Sequence, residues 1–284
     1  MSVQTIFSNM TKKRKIFLLF ILMIGLIVVL NPHKNNAGAQ GWRNASQEPV
    51  GLAPDPAITP EAVIQVYTAR TWGWRGYLGV HPWIAVKPSN AKAFTVYEVI
   101  GWRLRWGEDV VVIRQRTADA RWFGNAPELL ADMRGDGVDA IIKKIGVAAR
   151  TYPFSDQYAV YPGPNSNTFV AHVARQVPEL KIDLPPTAIG KDYLGTDLVA
   201  KTPSGTGYQL SLGGLFGLMA SAKEGLEINI LGLVFGINPL DPSIKLPGVG
   251  RIGAARKLDY QAKTKINTDV TETRPEKLVS EKPL

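Results

Sequence analysis

Two β-branched and aromatic runs, Tyr77–Val86 (YLGVHPWIAV) and Phe94–Arg103 (FTVYEVIGWR), flank the segment Lys87-Pro88-Ser89-Asn90-Ala91-Lys92. Pro, Ser and Asn are turn formers, so the spacing predicts an antiparallel hairpin and commits the chain to a sheet. Val63–Thr68 (VIQVYT) and Val110–Gln115 read as further strands, and Tyr158–Tyr161 as a short one. Pro127–Met133 and Val138–Arg150 read as helices; in the second, Ile141, Ile142, Ile145 and Ala148 recur at helical spacing. Asn167–Arg175 reads as another helix, closed by Pro178. This order predicts an α+β domain whose mostly antiparallel sheet packs on helices.

The hairpin also nominates chemistry. Centred on Ser89-Asn90, its opposed residues sum to 179–180, which sets His81 across from Glu98 or Val99. Side chains alternate along a strand, so a slip of one residue moves Glu98 to the other face. In the favourable register Glu98 holds the His81 ring and fixes its tautomer. Further on, Gly163–Phe169 (GPNSNTF) stands where a helix begins. Asn, Ser and Thr are preferred caps, because their oxygens accept bonds from the helix's orphaned N–H groups. Ser166 is therefore either part of a cap or a nucleophile served by His81, with Glu98 as the orienter of the base. Asn165, Asn167 and Trp83 would support such a site. His172 lies six residues after Ser166, a rotation of about 240° on a helix, and points away.

Other candidates carry less. His33 sits in a polar stretch, no histidine pair has metal-ligand spacing, and the glycines at Gly205–Gly207 and Gly213-Gly214 fall short of a phosphate-binding loop. No metal or cofactor is expected. Asp109, Asp132, Asp136 and Asp139 read as acids on solvated faces. Trp72, Trp74, Trp83, Trp102, Trp106 and Trp122 crowd the β-rich half, as core or as the walls of a groove. With no cysteine in the chain, disulfides, thiolate zinc sites and cysteine nucleophiles are all excluded.

The formal charge of +9 suggests nucleic acid until it is located. Lys12–Lys15 carry four positive charges, and the tail from Arg251 has eight Lys/Arg against five Asp/Glu. Between Ala57 and Gly250 the balance is nineteen to seventeen, so no folded basic surface tracks phosphates and no nucleic-acid partner is expected. The four basic residues precede fifteen apolar ones, Ile16–Leu30 (IFLLFILMIGLIVVL). Such a run is short for a bilayer-spanning helix, which needs about 20 residues, and sits at the upper limit of a signal peptide. Ala37-Gly38-Ala39 offers a cleavage pattern. A retained single-pass anchor and a cleaved signal are both consistent. Either leaves the basic flank inside and the body on the far side of the membrane. The expected organisation is a signal anchor or peptide at 1–31, a linker at 32–60, an α+β core at 61–200, a β-rich appendage at 201–250 and a charged tail at 251–284. In the appendage, Tyr208–Met219 and Leu226–Ile237, rich in Leu, Gly and Phe, read as strands or as a membrane-associated hairpin.

The segments VHPWIAVKP, YEVIGWR, WFGNAPELLADMRG and YPGPNSNTFVAHVARQVPEL closely resemble the bacterial family of domain of unknown function 3750, over about Gly51–Gly250. A more distant resemblance is to circularly permuted papain-like hydrolases: the PPPDE peptidases, the lecithin:retinol acyltransferase-like enzymes and the YiiX-like NlpC/P60 group. Their histidine strand (H-x-x-I-x-V) comes first, then an acidic or polar residue one strand on, then an N-C-N-x-F-type motif opening a helix. His81-Pro82-Trp83-Ile84-Ala85-Val86, Glu98 and Asn165-Ser166-Asn167-Thr168-Phe169 follow that order. The resemblance implies a permuted papain-like core with Ser166 in the cysteine's place and His81 as base. It also implies an amide or ester substrate in peptide, peptidoglycan or lipid, and a body in the periplasm, held at the inner membrane or released after Ala39. A serine hydroxyl ionises far less readily than a thiol, so Ser166 depends on His81 as a true general base.

Overall fold

The computed structural model describes residues 41–254, together with residues 11–15 and positions 18, 22 and 25. The anchor or signal expected over Ile16–Leu30, the first part of the linker and most of the charged tail lie outside the described residues. Among those described, no helix is long and apolar enough to cross a membrane.

Among the described residues, 41–254 form two antiparallel sheets and two α-helices. In the first sheet the spatial order is β4-β3-β2-β1-β5, from β1 (Val63–Arg70), β2 (Val80–Lys87), β3 (Thr95–Val99), β4 (Val111–Gln115) and β5 (Glu128–Arg134). β1 and β2 are buried along their whole length, because both faces of the sheet are covered. On one face Ile64, Val66, Ile84 and Val86 pack against α1 (Val138–Arg150) and α2 (Ser166–Gln176) through Ile142, Ile145, Phe169, Val170 and Val173. Burying an aliphatic or aromatic side chain of this size contributes about 1.5–3 kcal/mol, so this layer holds the helices in place. On the other face Val63, Tyr67, Trp83, Ala85 and Val96 form a second cluster. Loops close it: the Trp83 indole donates to the Ala118 carbonyl (2.7 Å), and the Asp119 carboxylate accepts from the Leu52 and Ala53 amides (2.6 and 3.2 Å).

The hairpin register differs from expectation. Ile84 faces Tyr97 and Ala85 faces Val96, so opposed positions sum to 181. Continued along the strands, that places Glu98 opposite Trp83 and diagonal to His81. The odd sum keeps His81 and Glu98 on one face, because side chains alternate with a period of two. Glu128–Arg134 corrects the expected helix at Pro127–Met133. Leu, Ala and Met favour helices, but the segment pairs with the open edge of β1 from Val63↔Arg134 to Thr68↔Glu128, and those ladder bonds override propensity. Tyr158–Tyr161 forms no strand and runs as bends into the helix.

The second sheet is a seven-stranded meander: β6 (Val199–Lys201), β7 (Gly207–Leu212), β8 (Phe216–Ser221), β9 (Gly225–Ile230), β10 (Leu233–Asn238), β11 (Ser243–Leu246) and β12 (Gly250–Gly253). Tyr208–Met219 and Leu226–Ile237 each contain a tight reversal, at Gly213-Gly214 and at Leu231-Gly232. The sheet's alternation is the reverse of the usual one. Gln209, Ser211, Glu227, Asn229 and Lys245 are buried, while Tyr208, Leu210, Leu212, Leu226, Ile228 and Ile230 are exposed. The buried polar face meets the segment after α2. Lys245 Nζ donates to Asp183 (2.6 Å), Glu227 (2.7 Å) and the Glu224 carbonyl (2.8 Å), and Lys191 pairs with the other Glu227 oxygen.

Candidate active site

The helix N-terminus at GPNSNTF divides its labour among four polar residues. Asn165 is the cap: its Oδ1 accepts from the amides of Asn167 (2.9 Å) and Thr168 (3.3 Å), and Thr168 Oγ1 accepts in return from the Asn165 amide (3.1 Å). The Phe169 amide bonds the Asn165 carbonyl. Asn165 Nδ2 reaches the Val160 and Ile189 carbonyls (3.2 and 3.0 Å). Gly190 permits that approach: its φ is +96°, and a Cβ there would lie 2.5 Å from Asn165 Nδ2. Asn167 Nδ2 donates to the carbonyls of Val80 (3.2 Å) and Ile189 (2.8 Å), fastening the start of α2 to the start of β2, one residue before His81.

Ser166 is left over. Among the described residues its hydroxyl makes no hydrogen bond, and its own amide is the one in the first turn without an acceptor. Losing the cap is a separate matter from losing Ser166. Asn165→Ala should lower the unfolding free energy of the full chain by about 1–2 kcal/mol in urea titrations; no change would show that the cap is redundant.

His81 is buried on the loop-covered face of the first sheet. Its ring stacks on Trp122 with centroids 3.6 Å apart and planes 8° from parallel. Nε2 stands 3.6 Å from Glu98 Oε2, beyond hydrogen-bond length but close enough for electrostatic orientation. Burial drives the His81 pKa below its ordinary 6.5, outweighing the pull of Glu98, and Arg116 lowers it further. A neutral ring beside a carboxylate carries its proton on Nε2, which leaves Nδ1 as the basic nitrogen. Glu98 is fully buried and accepts from Arg114 (3.0 Å) and Arg116 (3.3 Å). Burial alone would raise its pKa, but His81, Arg116 and Arg114 together hold it down at about 2.

These shifts fix a pH dependence. The unfolded chain protonates at position 81 near pH 6.5 and the folded chain only below that, so stability falls as pH drops through this range. Glu98 adds stability above its unfolded 4.5 that is lost as pH falls towards 2, about 3 kcal/mol in all. Urea midpoints should therefore decline from pH 7 to pH 3, and Glu98→Gln should flatten the lower half of that decline. An unaltered slope would remove Glu98 from the account.

Ser166, Asn165, Asn167 and His81 line one cavity of about 380 Å³, walled by Trp72, Trp74, Trp102, Trp122 and Phe123. No hydrogen bond joins Ser166 to His81. Glu98 stands behind His81 and outside the cavity, and Trp83 lies fully buried at 6.0 Å from the His81 ring. Trp106 is exposed. His172 lines no part of the cavity and packs edge-on against Tyr152. Residues 61–193 match the family described as "Protein of unknown function (DUF3750)". This segment is a DUF3750 domain. Comparison with curated proteins and with solved structures gave no match. The DUF3750 domain contains His81, Glu98 and Ser166 together with the aromatic walls of the cavity, and ends before the second sheet begins.

Sequence reasoning missed Arg114 and Arg116 as parts of this domain's site, and named Trp122 as core or groove wall without its stack on His81. Arg114 and Arg116 were legible as an R-x-R alternation ending the fourth strand, which puts two cations on one face beside whatever acid that face buries. Trp122 comes from a loop, and nothing local announces its stacking on His81.

Proposed function

We propose that the protein is a serine-dependent amidase, esterase or acyltransferase with a permuted papain-like core. Ser166 is its nucleophile, His81 its general base and Glu98 the positioning residue of His81. One observation supports this above the rest. Asn165 does the capping, so the Ser166 hydroxyl is unengaged and shares a cavity with a histidine that burial keeps neutral. In the reaction, Ser166 Oγ attacks a carbonyl carbon as its proton passes to His81 Nδ1. The Ser166 amide, at the positive end of α2, donates to the developing oxyanion. The tetrahedral adduct collapses to an acyl-serine as His81 returns the proton to the leaving amine or alcohol, and water or an acceptor completes the turnover. The aromatic walls suit an apolar or peptide group next to the scissile bond. The expected membrane tether places that bond in the cell envelope, in peptidoglycan peptide or lipid.

A second reading, a non-catalytic envelope binding protein that keeps the groove, is favoured by the Trp122 stack and by the missing Ser166–His81 hydrogen bond. Apo geometry often lacks such bonds until substrate arrives, so it does not decide. A serine-directed fluorophosphonate does. The full chain should label at Ser166, at a rate that rises with pH through a midpoint below 6.5. Labelling that persists in Ser166→Ala removes the nucleophile, and no labelling of the folded chain at any pH counts against catalysis and favours the binding reading.

A further inference from the structure

An antiparallel sheet with one covered face normally buries its apolar side and wets its polar one. The second sheet does the opposite, and its register makes the reversal complete. The pairings Val199↔Leu210, Leu210↔Leu218, Leu218↔Ile228, Phe235↔Ile228, Ile237↔Ile244 and Ile244↔Ile252 run an apolar ladder across all seven strands. Tyr208, Leu210, Leu218, Ile228, Ile237 and Ile244 are 43–65% exposed. They line a groove of about 830 Å³ on this face. Lys201, paired with Tyr208 on the short edge strand β6, is the one charged residue in its ladder. The sheet cannot turn over, because its other face carries Glu227 and Lys245, whose partners Lys191 and Asp183 belong to the core; flipping would strand buried charges. Exposed apolar patches beyond a few hundred Å² mark an interaction surface.

We infer that this face is a lipid-docking surface, which rests on the acyl chains of the bilayer that receives residues 16–30. Two observations select the occupant. Only residues 31–40 separate the apolar run from the first residue of the described body, and ten residues reach at most about 35 Å. With the apolar run retained as an anchor, the body is held within about that distance of the bilayer. The groove is also shallow and open and runs apolar across the whole sheet, a form that lies on acyl chains without having to enclose them. Lys201 at the edge lies where a long cationic side chain reaches the headgroups. The inference extends the sequence expectation of a membrane segment and is independent of catalysis.

The chain has no cysteine, so single probes can be placed without background. Full-length Leu218→Cys and Lys143→Cys, the latter on the exposed side of α1, would carry an environment-sensitive fluorophore. Both would be reconstituted into phosphatidylethanolamine/phosphatidylglycerol vesicles, with and without brominated acyl chains. Bromination should quench the probe at 218 at least three-fold and leave that at 143 unchanged. Adding Ile228→Asp, at an exposed position, should remove the quenching and leave the circular dichroism intact. Equal quenching at both positions, or none at either, overturns the inference. So does oxidative dimerisation of Leu218→Cys in vesicles without quenching, which assigns the face to a second copy.

Discussion

A Ser166→Ala chain is expected to keep its stability and lose its chemistry. The side chain makes no hydrogen bond, and the helix is capped by Asn165, so removing one oxygen should change the unfolding free energy by less than about 0.5 kcal/mol. Fluorophosphonate labelling and any ester or amide turnover should fall at least 10³-fold, because the other aliphatic hydroxyl lining the cavity, that of Thr71, is engaged by the Gly79 carbonyl. His81→Ala should depress labelling comparably, since a serine without a base is a weak nucleophile at neutral pH. The pairing of a silent stability profile with a large loss of reactivity separates a nucleophile from a structural serine. A stability loss of 1 kcal/mol or more with labelling unchanged would mark Ser166 as part of the cap after all.

The second large effect lies in the buried charge cluster. Glu227 sits between Lys191 and Lys245, both inaccessible to water. Burial works to raise its pKa, and the two lysines overcome it, so the carboxyl is held below its ordinary range. Glu227→Ala leaves Lys191 buried without its close partner and Lys245 with Asp183 and the Glu224 carbonyl. Removing one member of such a group typically costs about 3–5 kcal/mol. Because the cluster joins the two halves of the chain, the loss should surface first as proteolytic cleavage and faster amide exchange in β7–β10, with the first sheet still protected. Replacing Lys191 and Glu227 together by Met and Leu should recover much of the loss. A single variant as stable as the parent in urea would show that the cluster contributes nothing net.

Much of this was legible in the sequence where the signal was local. The hairpin at 77–103 was written by β-branched alternation around a proline-containing turn, and α1 by its isoleucines. Its register was not, because residues Lys87–Lys92 admit several reversals and the sheet's two covered faces choose among them. Glu128–Arg134 was misread because its intrinsic preference is helical and the deciding partner, β1, lies sixty residues away. At the site, the residue types of GPNSNTF announced a helix start, but any of four side chains could cap it. That Asn165 does so, leaving Ser166 unengaged, follows from Gly190, Ile189 and Val80, all remote in sequence. The second sheet was visible only as two runs rich in Leu, Gly and Phe, not as its seven strands. Their inverted facing was not visible either, since it depends on charges at Asp183 and Lys191.

Those charges set where the chain may be cut. The family match stops at residue 193, yet Asp183 and Lys191 find their counter-charges at Lys245 and Glu227. Arg175, near the end of α2, likewise donates across to the Lys201 carbonyl and the Gln209 side chain. A fragment ending at residue 193 would therefore open to water a surface made to be dry, with Asp183 and Lys191 parted from Lys245 and Glu227. The stretch that is recognisable by descent is shorter than the stretch that folds.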